Sequence, residues 1–300
     1  MVRRVARAVA AGACAIALTL TALTLATATG ASAQSSPAGV QAEIGKAPWQ
    51  AEYQASALKQ VPTQLSSDCR VKEPAFVGKA PLKRLRRALI ERRPVKVLAI
   101  GSSSTVGIGA SSPLMAYPVR LESNLEAFIK GADVQMIIRG VGGEVATGAA
   151  ERLKLEIADI RPDLVVWQVG TNDAMARLDE DDFSELLRTT LSWLRKNKVD
   201  VVLIDPQYTD RLAGDDHYRS IVKVIDEVAS TEKVLLVRRF DAMADLARQR
   251  GASQLLASDG LHLNDLGYRC MAEYAARAIV AGILQADLEP AEPQPKAAVQ

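Results

Sequence analysis

Hydrophobic positions switch repeatedly between two rhythms. Val95 to Ile100 form a short, nearly continuous apolar run, and after Pro118 the residues Leu121, Leu125 and Phe128 share one helical face. Asp133 to Ile138 read as a second strand, and Leu153, Ile157 and Ile160 as a helix stripe. Leu164 to Val169 form a third strand, apolar almost throughout, as burial on both faces requires. Phe183, Leu187, Leu191 and Leu194 then mark a helix, Val201 to Ile204 a strand, Ile221, Ile225 and Val228 a helix, and Val234 to Val237 a last strand. A helix over about 240–250, a loop to Asn264 and a closing helix to about Leu284 follow. Five strands alternating with amphipathic helices predict an α/β fold: a three-layer α/β/α sandwich around a flavodoxin-like five-stranded parallel sheet, spanning residues 95–284.

The segments outside that pattern have other compositions. Arg3, Arg4 and Arg7 precede an Ala/Leu/Thr stretch, and Ala31-Ser32-Ala33 fits a small-residue cleavage site, so residues 1–33 read as a signal peptide. A retained membrane anchor is the alternative, disfavoured by the threonines and the cleavage signature. After cleavage no stable membrane insertion is expected, and the protein would be periplasmic or secreted. Residues 34–94 form an N-terminal extension with scattered prolines and a basic helical run, and residues 285–300, with Pro290, Pro293 and Pro295, a flexible tail.

The signal also accounts for the apparent basicity. Without its three arginines the 37 basic residues no longer exceed the 35 acidic ones, and the net charge is about −1. No nucleic-acid partner is implied, and Lys83-Arg84, Arg86-Arg87 and Arg92-Arg93 read as a solvated helix surface. In an oxidising compartment Cys69 and Cys270 are either joined, tying the N-terminal segment to the last helix, or two isolated buried thiols.

In a doubly wound sheet, ligands sit beyond the carboxyl ends of the strands. The unusual residues fall there: Gly101-Ser102-Ser103-Ser104-Thr105 after the first strand, Gly140-Val141-Gly142-Gly143 after the second, Gly170-Thr171-Asn172-Asp173 after the third, and Asp259-Gly260-Leu261-His262 after the fifth. A serine hydroxyl needs an imidazole to accept its proton, and that imidazole needs an acid to fix its tautomer. The chain holds two histidines. His217 follows Asp215 and Asp216 before a helix, where the acids can cap the N-terminus and the ring can face solvent, which leaves His262 as the better candidate base, with Asp259 three residues before it able to fold back on its ring; a lone histidine would more often be structural. Taken singly, the glycines could be turn formers, Asn172 a cap beside Asp173, and the serines hydrogen-bonding turn residues.

The four blocks, in this order, resemble the SGNH (GDSL-like) hydrolase family over roughly residues 95–284. The resemblance implies Ser103 as nucleophile, Asp259 and His262 completing a triad, and an oxyanion hole from the backbone N–H groups of Ser103 and Gly143 and the Asn172 side chain. The first block departs from the family: Ser102 stands for the usual Asp and Ser104 for the usual Leu, leaving open what replaces the aspartate's hydrogen bonds.

Other chemistries lack their signatures. There is no second glycine of a G-x-S-x-G elbow, no third glycine after Gly107 and Gly109 with an acid closing the second strand, no P-loop lysine, and no metal-ligand spacing. The expectation is an exported serine esterase without metal or organic cofactor, cleaving acetyl or short acyl esters from a small molecule or an envelope glycan. Lysophospholipase or thioesterase activity, acyl transfer to a glycan, and a non-catalytic glycan-binding module are the alternatives.

Overall fold

The computed structural model describes residues 65–72 and 74–288. The predicted signal peptide, residues 34–64 of the predicted N-terminal extension and the tail beyond Leu288 lie outside the described residues.

The elements in order are β1 (Phe76–Val77), α1 (Lys83–Ile90), β2 (Val95–Gly101), α2 (Ser103–Val106), α3 (Tyr117–Phe128), β3 (Val134–Gly140), α4 (Ala146–Ile160), β4 (Leu164–Gln168), α5 (Thr171–Met175), α6 (Glu180–Lys196), β5 (Asp200–Ile204), α7 (Asp210–Ala213), α8 (Asp216–Glu232), β6 (Leu235–Val237), α9 (Arg239–Arg250) and α10 (Asp265–Leu288). The sheet order is β1-β6-β5-β4-β2-β3. Strands β2 to β6 are parallel in the flavodoxin-like order, and the chain reverses its direction of winding between β2 and β4.

The sheet has six strands rather than the expected five. The extra one, β1, pairs antiparallel with β6 through Phe76–Val237 and Val77–Leu236. Two residues cannot display a two-residue period, so this strand carries no sequence pattern of its own. The closing helix also runs past Leu284 to Leu288, because nothing breaks it before Pro290 disfavours helical geometry in the residue ahead of it.

Alternation along the strands divides the core. Val97, Leu164, Val166, Val202 and Leu235 face the layer of α1, α3, α9 and α10, while Leu98, Ile100, Val165, Trp167 and Leu203 face α4, α6 and α8. Residues 65–94 belong to the first layer: Cys69, Leu82, Leu85 and Ala88 are buried in it. The change of pattern at residue 95 therefore does not separate two packing units. Asp200 accepts a hydrogen bond from the Leu85 backbone at 2.9 Å, anchoring the first turn of α1 to the sheet.

The basic pairs are not all solvated. Arg93 forms a two-pronged pair with the buried Asp163 at 2.7 and 2.6 Å, and Arg84 approaches the same carboxylate at 3.4 Å. A buried carboxylate needs such partners, and the arginines come from the connection immediately preceding its neighbouring strand.

Cys69 and Cys270 are joined by a disulfide across a separation of 201 residues, and the Tyr274 hydroxyl donates to the Cys69 carbonyl at 2.8 Å. Closing so long a loop removes much of the unfolded chain's freedom, about 5 kcal/mol on the chain-entropy model and roughly 2–5 kcal/mol in practice. The Cys69→Ala/Cys270→Ala double variant should therefore unfold at a clearly lower urea midpoint than the oxidised wild type, by that margin in free energy. Reductant should reproduce the shift in the wild type.

Candidate active site

Ser103 is the first residue of α2, immediately beyond β2, and is half-buried, whereas Ser102 and Ser104 are buried. The Ser103 carbonyl accepts from the backbone N–H groups of Gly107 and Ile108, which closes the short helix into a compact turn. Ser102 turns inward: its backbone N–H and its hydroxyl both donate to the Gln168 side-chain oxygen at 3.0 Å. Gln168 thus supplies from β4 the partner that the missing aspartate left open. Gly101 permits this approach, since a Cβ there would lie 2.6 Å from the Gln168 carbonyl and 2.7 Å from the Thr105 hydroxyl.

Ser104 turns to the other side. Its hydroxyl accepts from the Arg239 guanidinium at 3.1 Å. The three adjacent serines therefore have three different environments, and the two flanking ones are occupied by buried partners.

Gly143 lies in the turn after β3 with φ +77° and open space where a side chain would stand. That turn is tied to the serine turn by the Val141 N–H donating to the Gly101 carbonyl at 2.9 Å. Asn172 is the second residue of α5, and its amide donates to the Glu144 carbonyl at 2.8 Å, which fixes the side chain beside the Gly143 turn. An amide nitrogen carries a second hydrogen. Asp173 holds the arrangement from beneath, accepting from Ala146 N–H at 2.7 Å and Gly170 N–H at 3.1 Å. Burial pushes its carboxyl above the usual carboxylate range, against the pull of those backbone donors.

Asp259 and His262 share a tight loop closed by the Leu256–Leu263 bridge and by Ala257 N–H donating to the His262 carbonyl at 2.8 Å. His262 Nδ1 is 2.6 Å from Asp259 Oδ2, while Asp259 Oδ1 accepts from the backbone N–H groups of Leu261 and His262 at 2.9 Å. The hydrogen bond from His262 is the main cause that lowers the Asp259 carboxyl to about 2, helped by the two backbone donors. The loop lies against the segment following Ser103: a Cβ on Gly109 would stand 3.0 Å from His262 Cβ. All five candidate residues thus sit in loops or first helical turns at one sheet edge, around the point where the winding reverses.

His217 is placed differently from the expectation. Asp215 does cap α8, accepting from Tyr218 N–H at 3.2 Å, but the ring is mostly buried, with Nδ1 3.5 Å from Glu180 on α6. The neighbouring helix covers a face that the local sequence could not show to be covered. Among the described residues no group of three or more His, Cys, Asp or Glu side chains is placed to hold a metal ion.

Three supporting residues escaped the sequence: Gln168, Gln207 and Arg239. A polar residue ending the apolar β4 run was a signal for Gln168. Arg239, beside Arg238 at a helix start, carries no sequence signal that sets it apart from a surface charge.

The sequence model of the non-GDSL lipase-like family matches residues 68–285. Esterase TesA of Pseudomonas aeruginosa is 24% identical over 166 residues, covering 55% of this chain and 78% of that protein. A lipase/acylhydrolase from Enterococcus faecalis superposes with a TM-score of 0.53 at 27% identity, over 62% of this chain and 95% of that one. A two-domain esterase active on acetylated mannans superposes with a TM-score of 0.61 at 19% identity, over 77% of this chain and 62% of that one.

Two outcomes follow from the geometry. Gln168→Leu leaves the Ser102 donors buried without their acceptor and should cost about 1–3 kcal/mol of stability, read by urea unfolding. Asp259 titrates near 3.9 in the unfolded chain but at about 2 when folded. Its stabilising contribution is therefore complete above about pH 4 and lost as pH falls through about 2. Unfolding midpoints of wild type and Asp259→Asn should differ at neutral pH and converge toward about pH 2.

Proposed function

Because the chain belongs to the non-GDSL lipase-like family and is an ester hydrolase of the SGNH kind, we propose that it cleaves carboxylic esters through a Ser103 acyl-enzyme. The observation that carries this reading is the Asp259–His262 pair at 2.6 Å. With Nδ1 engaged by the carboxylate, Nε2 is the ring nitrogen left for proton transfer, and His262 lies beside the segment that follows Ser103.

His262 takes the hydroxyl proton as Ser103 Oγ bonds to the ester carbonyl carbon, and the carbonyl π electrons move onto oxygen. The Ser103 and Gly143 N–H groups and the free hydrogen of the Asn172 amide stabilise that oxyanion. Collapse breaks the bond to the alcohol oxygen, which receives the proton from His262. Water then attacks the acyl-enzyme with His262 as base, and release of Ser103 gives the acid.

Acetyl or short acyl groups on envelope glycans are the proposed substrates, by analogy with the esterase active on acetylated mannans. Export through residues 1–33 is supported by the Cys69–Cys270 disulfide, a bond suited to an oxidising compartment. No described helix is long and apolar enough to cross a membrane.

One observation favours a second reading. Val106, Ile108, Leu114 and Val141, from the serine turn, the segment after it and the adjoining glycine turn, are 43–70% exposed. Such a rim suits a longer aliphatic chain, as in a lysophospholipid or thioester.

Chromogenic esters from acetyl to long acyl decide between the two. The expected profile is highest for acetyl and falls with chain length; a maximum at long chains would support the second reading. Ser103→Ala and His262→Ala should each lower kcat by more than about 10³-fold, and Asn172→Ala by about 10²–10³-fold. Hydrolysis unaffected by Ser103→Ala would refute the acyl-enzyme.

A further inference from the structure

Arg239 is fully buried beneath the site, a costly place for a charge. None of its hydrogen bonds reaches a carboxylate. Nε donates to the Asp205 backbone carbonyl at 2.9 Å, Nη1 to the Ser104 hydroxyl at 3.1 Å and toward the Met271 sulfur at 3.6 Å, and Nη2 to the Gln207 side-chain oxygen at 3.1 Å. The Asp205 carboxylate is engaged elsewhere, accepting from Phe240 N–H at 2.9 Å, and burial pushes it up to about 8. Desolvation lowers the guanidinium's own basicity.

Gln207 extends the connection. Its side-chain oxygen also accepts from the Thr171 hydroxyl at 2.8 Å, and its amide nitrogen donates to the Leu261 carbonyl at 3.4 Å. The backbone carbonyl of Gln207 is held by the Tyr218 hydroxyl at 2.7 Å, so this residue is itself fixed. The three residues reached from this hub, Ser104, Thr171 and Leu261, are the immediate chain neighbours of Ser103, Asn172 and His262. Three loops from distant parts of the sequence are thereby tied to one buried cation, each at the position next to its proposed functional residue.

We propose that Arg239, through Ser104 and Gln207, is the positioning residue that holds the Ser103, Asn172 and His262 loops in mutual register for reaction. This rests on Ser103 being the nucleophile. The guanidinium touches neither substrate nor the reacting atoms; it acts through the side chains it binds. Its planar fork serves several acceptors at fixed angles, which explains why a lysine ammonium would be a poorer substitute. Misplacement of reacting groups by about 1 Å can cost about 10²-fold in rate, so a rigid tie under three loops has a large kinetic effect without a contact to the ester.

The test uses full-length wild type, Ser104→Ala, Arg239→Met, Arg239→Lys and Ser103→Ala. It reads kcat and KM on a chromogenic acetyl ester, the rate of labelling by a fluorophosphonate, and the thermal midpoint. Ser104→Ala should lower kcat and the labelling rate by about 10-fold and Arg239→Met by about 10–100-fold, both with KM changed by less than about threefold, and Arg239→Lys should recover part of the loss. A merely structural role predicts lower midpoints with kcat per labelled site unchanged, and that result would overturn the proposal. If Arg239→Met does not fold, Ser104→Ala decides alone, because it removes one hydroxyl and leaves the cation in place. Wild type that hydrolyses and labels at Ser103 while Ser104→Ala matches it overturns the positioning role only. Wild type that is neither active nor labelled overturns the nucleophile assignment and this inference with it.

Discussion

The parallel register of β2 against β4 is the constraint on which the site depends. Pairing runs Val97 with Leu164 through Ile100 with Trp167, which leaves Gly101 and Ser102 beside Gln168 at the end of the ladder. A shift of one residue would turn Gln168 to the opposite face and bury the Ser102 donors without an acceptor. Because both strands are buried on both faces, such a slip would also exchange the side chains of two cores. The geometry of the serine turn is therefore enforced by packing far from any reacting atom.

Polar groups beneath the loops extend that enforcement. Asp173 links the start of α4 to the Gly170 turn, Gln168 links β4 to Ser102, and Arg239 with Gln207 links the serine turn to Thr171 and Leu261. Each of these groups is desolvated, so each bond is expensive to leave unmade. Asp259 is the exception: half exposed, it owes its low pKa to His262 and two backbone donors rather than to burial. The acid of the pair is held low by local donors at the surface, while the structure under it is held by buried contacts.

Much of the fold was legible in the chain because buried parallel strands and amphipathic helices carry strong periodic signals. Val95 to Ile100 and Leu164 to Val169 are apolar runs that only a doubly covered strand explains, and the five parallel strands fall where those runs lie. The short β1 was not legible, since Phe76 and Val77 acquire strand geometry only by pairing with β6. Of the integration of residues 65–94 into the core only the Cys69–Cys270 tie to the last helix could be anticipated; the burial of Leu82, Leu85 and Ala88 depends on contacts with α10 more than a hundred residues away. For the candidate site, the pairing of Asp259 with His262 could be read from its local spacing, whereas Asn172 was marked only by the resemblance of its block. Gln168, Gln207 and Arg239 could not be read, because their partners are brought together by topology.

The departure of the serine block from its family's usual form has a physical account in these partners. An aspartate at position 102 would face the Gln168 oxygen, and turning the amide to donate instead would take the acceptor from the backbone N–H of residue 102, whereas the Ser102 hydroxyl and N–H can both donate to it. A leucine at 104 would leave one prong of a buried guanidinium with only the Met271 sulfur at 3.6 Å, whereas the Ser104 hydroxyl accepts. Ser102 and Gln168 therefore form one matched set, and Ser104 and Arg239 another, so each member constrains the residue types its partner can be. What remains between them is Ser103, half-buried at the first position of its helix, with its neighbours on both sides held by the protein interior.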